Sequence, residues 1–438
     1  MTRSRNAAPR LARAVRPAGP FRPGAFGSAL HETRVASILS VALGVSFTIC
    51  FLTGLASHWA QLAQPAIAWP AAPRDLYRWT QGAHVVSGVV SIPLLLGKLF
   101  SVYPRLWAWP PLAGAAHAVE RLALVPLVGG SLLLLLTGLQ DVFYWYPTPF
   151  AFTVTHYWTA WVTIGALVVH VGAKLTVAAD ALRHGDRAGD GRAASKSASS
   201  GEAAGGGQAT SSARATAGHG ATTWAGEAAG TAGPAAGDQA VRDRRWFLGA
   251  VAGAAGVVGV GFLAQVVSPL RLLAVLTPRR SDAGSQGVPV NKDARTAGVV
   301  ERASDPAFRL QVVGAVARPL TLSLDDLRAR ASREADLPIT CVEGWSVGAR
   351  WRGVPVRALL AEAGAGAFTS ILVSSLQPSG PFRNSRLSRA QALHPDTLLA
   401  VELNGEPLEL DHGFPVRLIA PNRPGVLQTK WVGSVRAE

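Results

Sequence analysis

Five long stretches of this chain carry little or no charge: residues 35–56, 80–103, 119–139, 151–177 and 246–267. Each is about 20 residues or longer, the length an α-helix needs to cross the hydrocarbon core of a bilayer. From residue 285 the character changes. Phe308-Arg309-Leu310-Gln311-Val312-Val313-Gly314 alternates as a half-buried strand should, and Ala317-Arg318-Pro319-Leu320 reads as a turn. Ser323 is placed to cap a short helix, with Asp325 and Asp326 favourable in its first turn. A second short helix is predicted over Arg357–Ala363, and further strands over Ile371–Ser375, Leu398–Leu403 and Val416–Ala420. Asn404-Gly405 is a hairpin signal. The fold class expected is multidomain: a transmembrane four-helix bundle, a fifth transmembrane helix, then an α+β domain of mainly β character.

Composition supports the division. Hydrophobic residues make up 49% of the 438 and charged residues 16%, an average over one region suited to lipid and one suited to water. Several of the 13 tryptophans (Trp59, Trp69, Trp79, Trp107, Trp109, Trp145) fall at the ends of apolar stretches, where indole rings anchor at the membrane interface.

Basic residues set the expected topology. Arg3, Arg5, Arg10, Arg13, Arg16, Arg22 and Arg34 precede or open the first stretch. Lys98, Arg105 and Arg121 lie between the second and third, while Lys174, Arg183, Arg242, Arg244 and Arg245 flank the long segment after the fourth. The other connections are poorer, with Arg74 and Arg78 in one and none in the other. Positive charge stays on the cytoplasmic side, so the amino terminus is expected inside and the region after the fifth helix outside. The net charge of +15 then reports topology and contact with anionic lipid, with no nucleic-acid partner needed.

Five domains are expected: a basic cytoplasmic tail (1–30), a four-helix membrane domain (31–180), a cytoplasmic linker (181–243), a fifth transmembrane helix (244–270) and an extracytoplasmic domain (285–438). Residues 185–240 are mostly Ala, Gly, Ser and Thr, too poor in large apolar side chains to offset the entropy of ordering, and disorder is expected there. Arg244-Arg245-Trp246-Phe247-Leu248 resembles an internal twin-arginine export signal.

Histidines in apolar helices are costly and mark function. His84 opens the second stretch; His156 and His170 share the fourth, 14 residues apart, an axial rise of roughly 21 Å that puts them on nearly one face. With this topology His84 and His156 both fall at the outer end and His170 at the inner. Imidazoles from facing helices suit haem iron. His31 or His117 would complete an inner pair with His170. His31, in Ala29-Leu30-His31-Glu32, matches the first-helix ligand position of b-type cytochrome subunits of the formate dehydrogenase kind, which residues 30–180 resemble. That resemblance implies one or two b haems exchanging electrons with membrane quinone.

Cys341 lies in Leu337-Pro338-Ile339-Thr340-Cys341-Val342-Glu343-Gly344-Trp345-Ser346, and the only other cysteine is Cys50. A thiolate is a soft metal ligand. With Trp351, Gly353-Val354-Pro355, Asn404-Gly405-Glu406-Pro407-Leu408, Asp411-His412-Gly413-Phe414-Pro415-Val416-Arg417-Leu418 and Lys430-Trp431-Val432, the region from about 288 to 438 resembles the molybdopterin domain of the sulfite oxidase family, the periplasmic methionine sulfoxide reductases especially. The resemblance implies a molybdenum–molybdopterin cofactor, with Cys341 as metal ligand and catalytic residue. It also implies Asn291, His412, Arg417, Gln428, Thr429 and Lys430 as cofactor contacts, and oxygen-atom transfer on a small sulfite- or sulfoxide-type substrate. Phe382, in the loop where an aromatic hydroxyl is frequent, cannot donate a hydrogen bond; Arg383 or Arg386 could take its place for an anionic substrate. The same residues also admit a haem-free structural anchor, or a cofactor-binding module without turnover.

Overall fold

The structure is a computed structural model that describes residues 26–107, 115–147, 149–184, 234–277 and 283–438. Most of the basic tail and of the linker, and the side chain of His117, lie outside the described residues.

Among the described residues, five helices are long and apolar enough to cross a membrane: α1 (Thr33–Gln61), α2 (Leu76–Val102), α3 (Ala115–Val142), α4 (Phe152–His184) and α5 (Pro234–Leu263). Each contains one of the five apolar stretches, or most of it, and two of them, α1 and α3, begin earlier and end later. α5 closes at Leu263, short of the expected residue 267, and a 3₁₀ turn follows at Ser268–Leu273.

The chain divides into two compact units, and each of the five long helices has residues in both. In the first unit (Met1–Ala42, Leu95–Leu124, Leu167–Val251) the Lys98 ammonium donates to the Ala36 carbonyl at 2.8 Å, and Arg244 is ion-paired with Glu32. The second unit (Leu43–Leu94, Val125–Ala166, Ala252–Glu438) holds the remaining helical segments and the whole β-rich region. Small polar residues let α1 and α2 approach there: Ser46 donates to the Ser87 carbonyl at 2.9 Å, and Ser91 to the Ser46 hydroxyl at 3.0 Å.

The carboxyl-terminal region is mainly β. One five-stranded sheet has the order β2-β1-β10-β5-β6, built from β1 (Leu310–Gly314), β2 (Leu320–Leu322), β5 (Ser370–Ser375), β6 (Asn384–Ser388) and β10 (Val432–Ala437). The other runs β3 (Arg333–Thr340), β4 (Ser346–Pro355), β7 (Leu398–Leu403) and β8 (Glu406–Pro407), with β9 (Arg417–Ile419) also on β7. Short helices α6 (Val300–Ala303), α7 (Leu324–Arg330), α8 (Val356–Glu362) and α9 (Arg389–Leu393) connect them.

Local chemistry explains the boundaries. Ser323 accepts from the Asp326 amide while Asp326 reaches back to the Ser323 amide, so both orphan donors at the start of α7 are satisfied. Asn404 and Gly405 both take positive φ (53° and 90°), which closes the β7–β8 hairpin at the predicted place. One apolar cluster gathers Leu310, Leu327, Leu359, Ile371, Leu387 and Leu399. A second, around Leu337, Ile339, Trp345, Trp351 and Leu403, includes Cys341.

Candidate functional site

Cys341 follows β3 immediately, and its position comes from a tight connection. Thr340 pairs with Ser346 across β3 and β4, so residues 341–345 make the turn. The Cys341 amide donates to the Trp345 carbonyl at 2.9 Å and the Gly344 amide to the Cys341 carbonyl at 3.2 Å. Gly344 supplies the positive φ of 96° that this turn requires. The thiol is buried, and the Asn291 amide nitrogen lies 2.7 Å from its sulfur. Burial, and after it the Glu343 charge, pushes the Cys341 thiol well above the ordinary range. A thiolate here therefore needs a cation to replace the proton. Glu343 itself is buried and accepts from the Trp345 indole at 3.0 Å.

Three basic side chains converge from the turn before β9, from β9, and from the segment before β10. His412 is fully buried, and its Nε2 faces the Ser285 carbonyl at 2.7 Å. A carbonyl can only accept, so Nε2 carries the proton and Nδ1 is left as a buried acceptor with no partner. Burial, followed by the charges of Arg417 and Lys430, lowers the His412 pKa to about 4, which keeps the ring neutral. Arg417 is 3% exposed, donates to the His412 carbonyl at 3.1 Å, and stacks 5.2 Å above Trp351. Its Nε has no partner. The Lys430 ammonium donates to the Asp411 carbonyl at 2.6 Å and the Lys292 carbonyl at 2.9 Å. Burial, then the Arg417 charge, lowers its pKa to about 7.

Gly413 makes the convergence possible. At φ 112°, a Cβ there would lie 3.2 Å from both Arg417 Cβ and Lys430 Cα. Among the described residues, neither cation is ion-paired with a carboxylate. Buried charges without counter-charges are costly, and an anionic ligand would relieve them.

The structure thus brings together Cys341 with Asn291, and His412 with Arg417 and Lys430. It engages two expected contacts elsewhere. The Gln428 side chain holds Ala420 by both its amide and its carbonyl (2.8 and 2.9 Å), and the Thr429 hydroxyl pairs with Ser385 at 2.7 Å. Arg386 is ion-paired with Glu438 at 2.8 Å and also donates to Ser370, while Phe382 and Arg383 are exposed.

Several contributors escaped the sequence reading. Lys292, next to Asn291, donates to Gln377 at 2.5 Å. Arg423 is buried and donates to the carbonyls of Leu427 and Arg386, both at 3.0 Å. A tyrosine hydroxyl also arrives from the α3–α4 connection, where Tyr144 donates to the Asn291 carbonyl at 3.2 Å. Adjacency to Asn291 was a signal for Lys292; nothing local marked Arg423 or Tyr144. A cavity of about 620 Å³ opens elsewhere, lined by Arg74, Arg78, Asp336, Arg350 and Glu402 among others, and Cys341 is not part of it.

In the helices, His84 and His156 face each other with ring centres 6.1 Å apart and planes at 83°. The His84 Nδ1 is held by the Cys50 carbonyl at 2.8 Å and the His156 Nδ1 by the Thr137 hydroxyl at 2.8 Å. Gly54 makes room for the first ring, since a Cβ there would lie 2.7 Å from it. His31 lies in a 3₁₀ turn before α1, among Phe26, Phe100 and Tyr103, and His170 is half-buried on α4. His58 stacks on Tyr157 at 4.2 Å.

Residues 297–438 match the family described as the oxidoreductase molybdopterin binding domain. The chain is 35% identical over 162 residues to the mitochondrial sulfite oxidase of Mus musculus, an alignment covering 31% of this chain and 30% of that one. To the protein-methionine-sulfoxide reductase catalytic subunit MsrP of Xanthomonas axonopodis pv. citri it is 34% identical over 142 residues, covering 30% and 44%. An Azospira oryzae protein provisionally named protein-methionine-sulfoxide reductase subunit YedZ1 is 32% identical over 126 residues, covering 29% and 47%. The chain thus spans less than half the length of these relatives. Its carboxyl-terminal region is a molybdopterin-binding oxidoreductase domain like those of sulfite oxidase and the sulfoxide reductase catalytic subunit, in agreement with a molybdenum-dependent oxidoreductase.

Proposed function

We propose that this chain is a membrane-bound molybdenum enzyme that transfers oxygen atoms to or from a sulfite- or sulfoxide-type substrate and exchanges the electrons with membrane quinone through b haem. The observation that carries the molybdopterin reading is the cluster of buried Arg417 and His412 with half-buried Lys430, beside Cys341. It has uncompensated positive charge and two unpartnered nitrogens.

Bound here, a molybdenum–molybdopterin group would supply two-electron oxygen-atom chemistry. Cys341 would hold the metal once its proton is displaced, and the Asn291 amide would donate to the sulfur and steady it. Arg417 and Lys430 supply charge-assisted donors for a phosphate. The neutral His412 offers the Nδ1 lone pair to an N–H of the pterin.

His84 and His156 support the haem reading. Each Nδ1 is fixed by a protein partner, so each Nε2 is left to a metal. Two metal–nitrogen bonds of about 2 Å each, with the two ring radii, come to roughly the observed separation of 6.1 Å between ring centres. An inner haem would use His170 with His31 or His117. The domain limits, the four-helix bundle of α1–α4, the cytoplasmic amino terminus and linker, export through the Arg244-Arg245 signal and the extracytoplasmic β domain belong to the same reading.

Metal analysis together with a reduced-minus-oxidised optical spectrum of the purified full chain tests the reading. Molybdenum with a b-type haem band is expected. Molybdenum without haem would reduce the helices to an anchor, and absence of both would sink the proposal. A substrate screen with oxidised and reduced dyes then separates sulfite from sulfoxides and gives the direction of electron flow.

A further inference from the structure

The Cys341 turn is seated on α2 by one side chain. The Gln81 amide nitrogen donates to the Val342 carbonyl, directly after the cysteine, and the two residues are 261 positions apart in the chain. Gln81 is 3% exposed, and its amide oxygen accepts from the Ser57 hydroxyl of α1. Gln61 in turn donates to Ser57 at 3.1 Å. Gly344 is where the turn comes closest to α2: a Cβ there would lie 2.8 Å from the Val85 side chain. The Ser346 amide also donates to the Gln265 carbonyl, just past α5, at 3.0 Å. Gln81 and Val85 stand one helical turn apart, and His84 is carried by that same turn.

We propose that Gln81 is a positioning residue that couples the Cys341 turn to the His84 imidazole and gives single electrons their route between the two sites. The inference rests on the reading that Cys341 binds molybdenum and that His84 and His156 bind an iron. Electron tunnelling weakens steeply with distance and decays faster across a gap than along covalent and hydrogen bonds. From the Cys341 sulfur the route runs through one peptide unit to the Val342 carbonyl, across one hydrogen bond into the Gln81 side chain, and along one turn of α2 to His84. Each transfer oxidises one centre by one electron and reduces the other by one, and two transfers complete a two-electron turnover. No bond forms or breaks on the way, and the Gln81 amide keeps its protons.

An interhelical hydrogen bond that merely fills space would share the burial. Two features set this one apart. Both ends of the amide are engaged, which fixes its orientation, because a buried amide left half-satisfied is costly. Its acceptor is the carbonyl of the residue beside the metal ligand, and its own helical turn carries the haem ligand.

Gln81→Leu keeps the volume and removes both hydrogen bonds, and Ser57→Ala removes only the brace on the amide oxygen. In the full-length, cofactor-loaded protein, a one-electron pulse from photoreduced deazaflavin is followed at the haem band as the centres re-equilibrate. The relaxation is expected to slow severalfold in Gln81→Leu, and less in Ser57→Ala, with haem band and molybdenum content kept. In cofactor-free protein, amide exchange at Cys341, Gly344 and Ser346 should quicken about tenfold in Gln81→Leu, the opening expected from one lost buried hydrogen bond. An unchanged relaxation with the haem band intact overturns the role of Gln81 and leaves the haem reading standing. A wild-type protein without a haem band overturns both. Should Gln81→Leu fail to fold, Ser57→Ala decides: relaxation at the wild-type rate overturns the proposal.

Discussion

The Cys341 site and the His84–His156 pair are both polar constellations set in apolar surroundings, yet they are held ready by opposite means. Around Cys341 the protein concentrates charge. Arg417 is buried and Lys430 half-buried, neither ion-paired with a carboxylate among the described residues, the thiol is pushed towards its neutral form, and an arginine and a histidine nitrogen go unpartnered. Around His84 and His156 it concentrates geometry. Both rings are held in position by carbonyl and hydroxyl partners on Nδ1, and they face each other at 6.1 Å. A site proposed for an anion shows itself by electrostatic debt, whereas one proposed for an iron between two imidazoles would show itself by orientation and spacing.

The sharpest break in the comparison is Cys341→Ser. A hard, rarely ionised hydroxyl in place of a soft anion should abolish turnover while part of the pterin is retained by Arg417 and Lys430. Dye-linked assays beside fluorescence of the extracted, oxidised pterin would check it, and a fully active serine variant would refute the metal role. Cys50→Ser should keep activity, because the Cys50 contact that orients His84 most closely is its backbone carbonyl.

Next in size is the histidine pair proposed to hold a haem. His84→Ala and His156→Ala should each remove the same optical component, and His170→Ala a different one. Whether His31→Ala or His117→Ala copies the His170 variant then identifies the inner ligand. Two distinct spectra from the His84 and His156 variants would show that the facing rings do not share an iron.

Arg417→Ala should weaken cofactor retention by about ten- to a hundredfold, the loss of a charge-assisted hydrogen bond of about 1.5–3 kcal/mol. Molybdenum and pterin content after dialysis reports it, and no change would move the phosphate site elsewhere.

A smaller effect follows from Lys430, whose pKa in the folded protein is lowered to about 7. An unfolded lysine stays protonated to about pH 10.4, so between these values the unfolded chain holds more protons and the cofactor-free protein gains stability as pH rises. Anion binding runs the other way, because the charged ammonium is lost above pH 7. Calorimetric titration of cofactor-free protein with inorganic phosphate should therefore show tighter binding at pH 6 than at pH 8.5. A flat profile would mean that Lys430 does not face the anion.

The smallest change touches neither site. Ser323→Ala removes the cap of α7 and should cost about 1 kcal/mol of stability with both cofactor signals intact. Chemical denaturation measures it.

Much of the architecture was legible because the relevant physics is local. Apolar runs of bilayer-crossing length gave the five long helices. Ser323 with Asp326 gave a helix start, and Asn404-Gly405 gave a hairpin, each through hydrogen bonds or φ angles confined to a few residues. The cofactor residues were legible only through family resemblance, and there the sequence named a segment better than its side chains. Gln428 and Thr429 sit at the expected place, yet their polar groups bond to Ala420 and Ser385. Which way a side chain turns depends on the strand packed beside it, and no local pattern records that.

The amino-acid sequence by itself determined where apolar helices run, where the β region begins, and which residue types stand ready for metal and anion chemistry. It also led to the expectation that His84 and His156 lie at matching depth, from the positions of basic residues and a fixed rise per residue. Only the tertiary structure decided that these rings meet, that Arg417 and Lys430 pack together against Gly413, and that Tyr144 reaches Asn291 from another region of the chain. It alone seated the Cys341 turn on Gln81, 261 residues distant from its partner Val342. The physical reason is separation: propensity and periodicity act over a few residues, whereas a buried hydrogen bond between remote segments exists only once packing has brought both ends out of water.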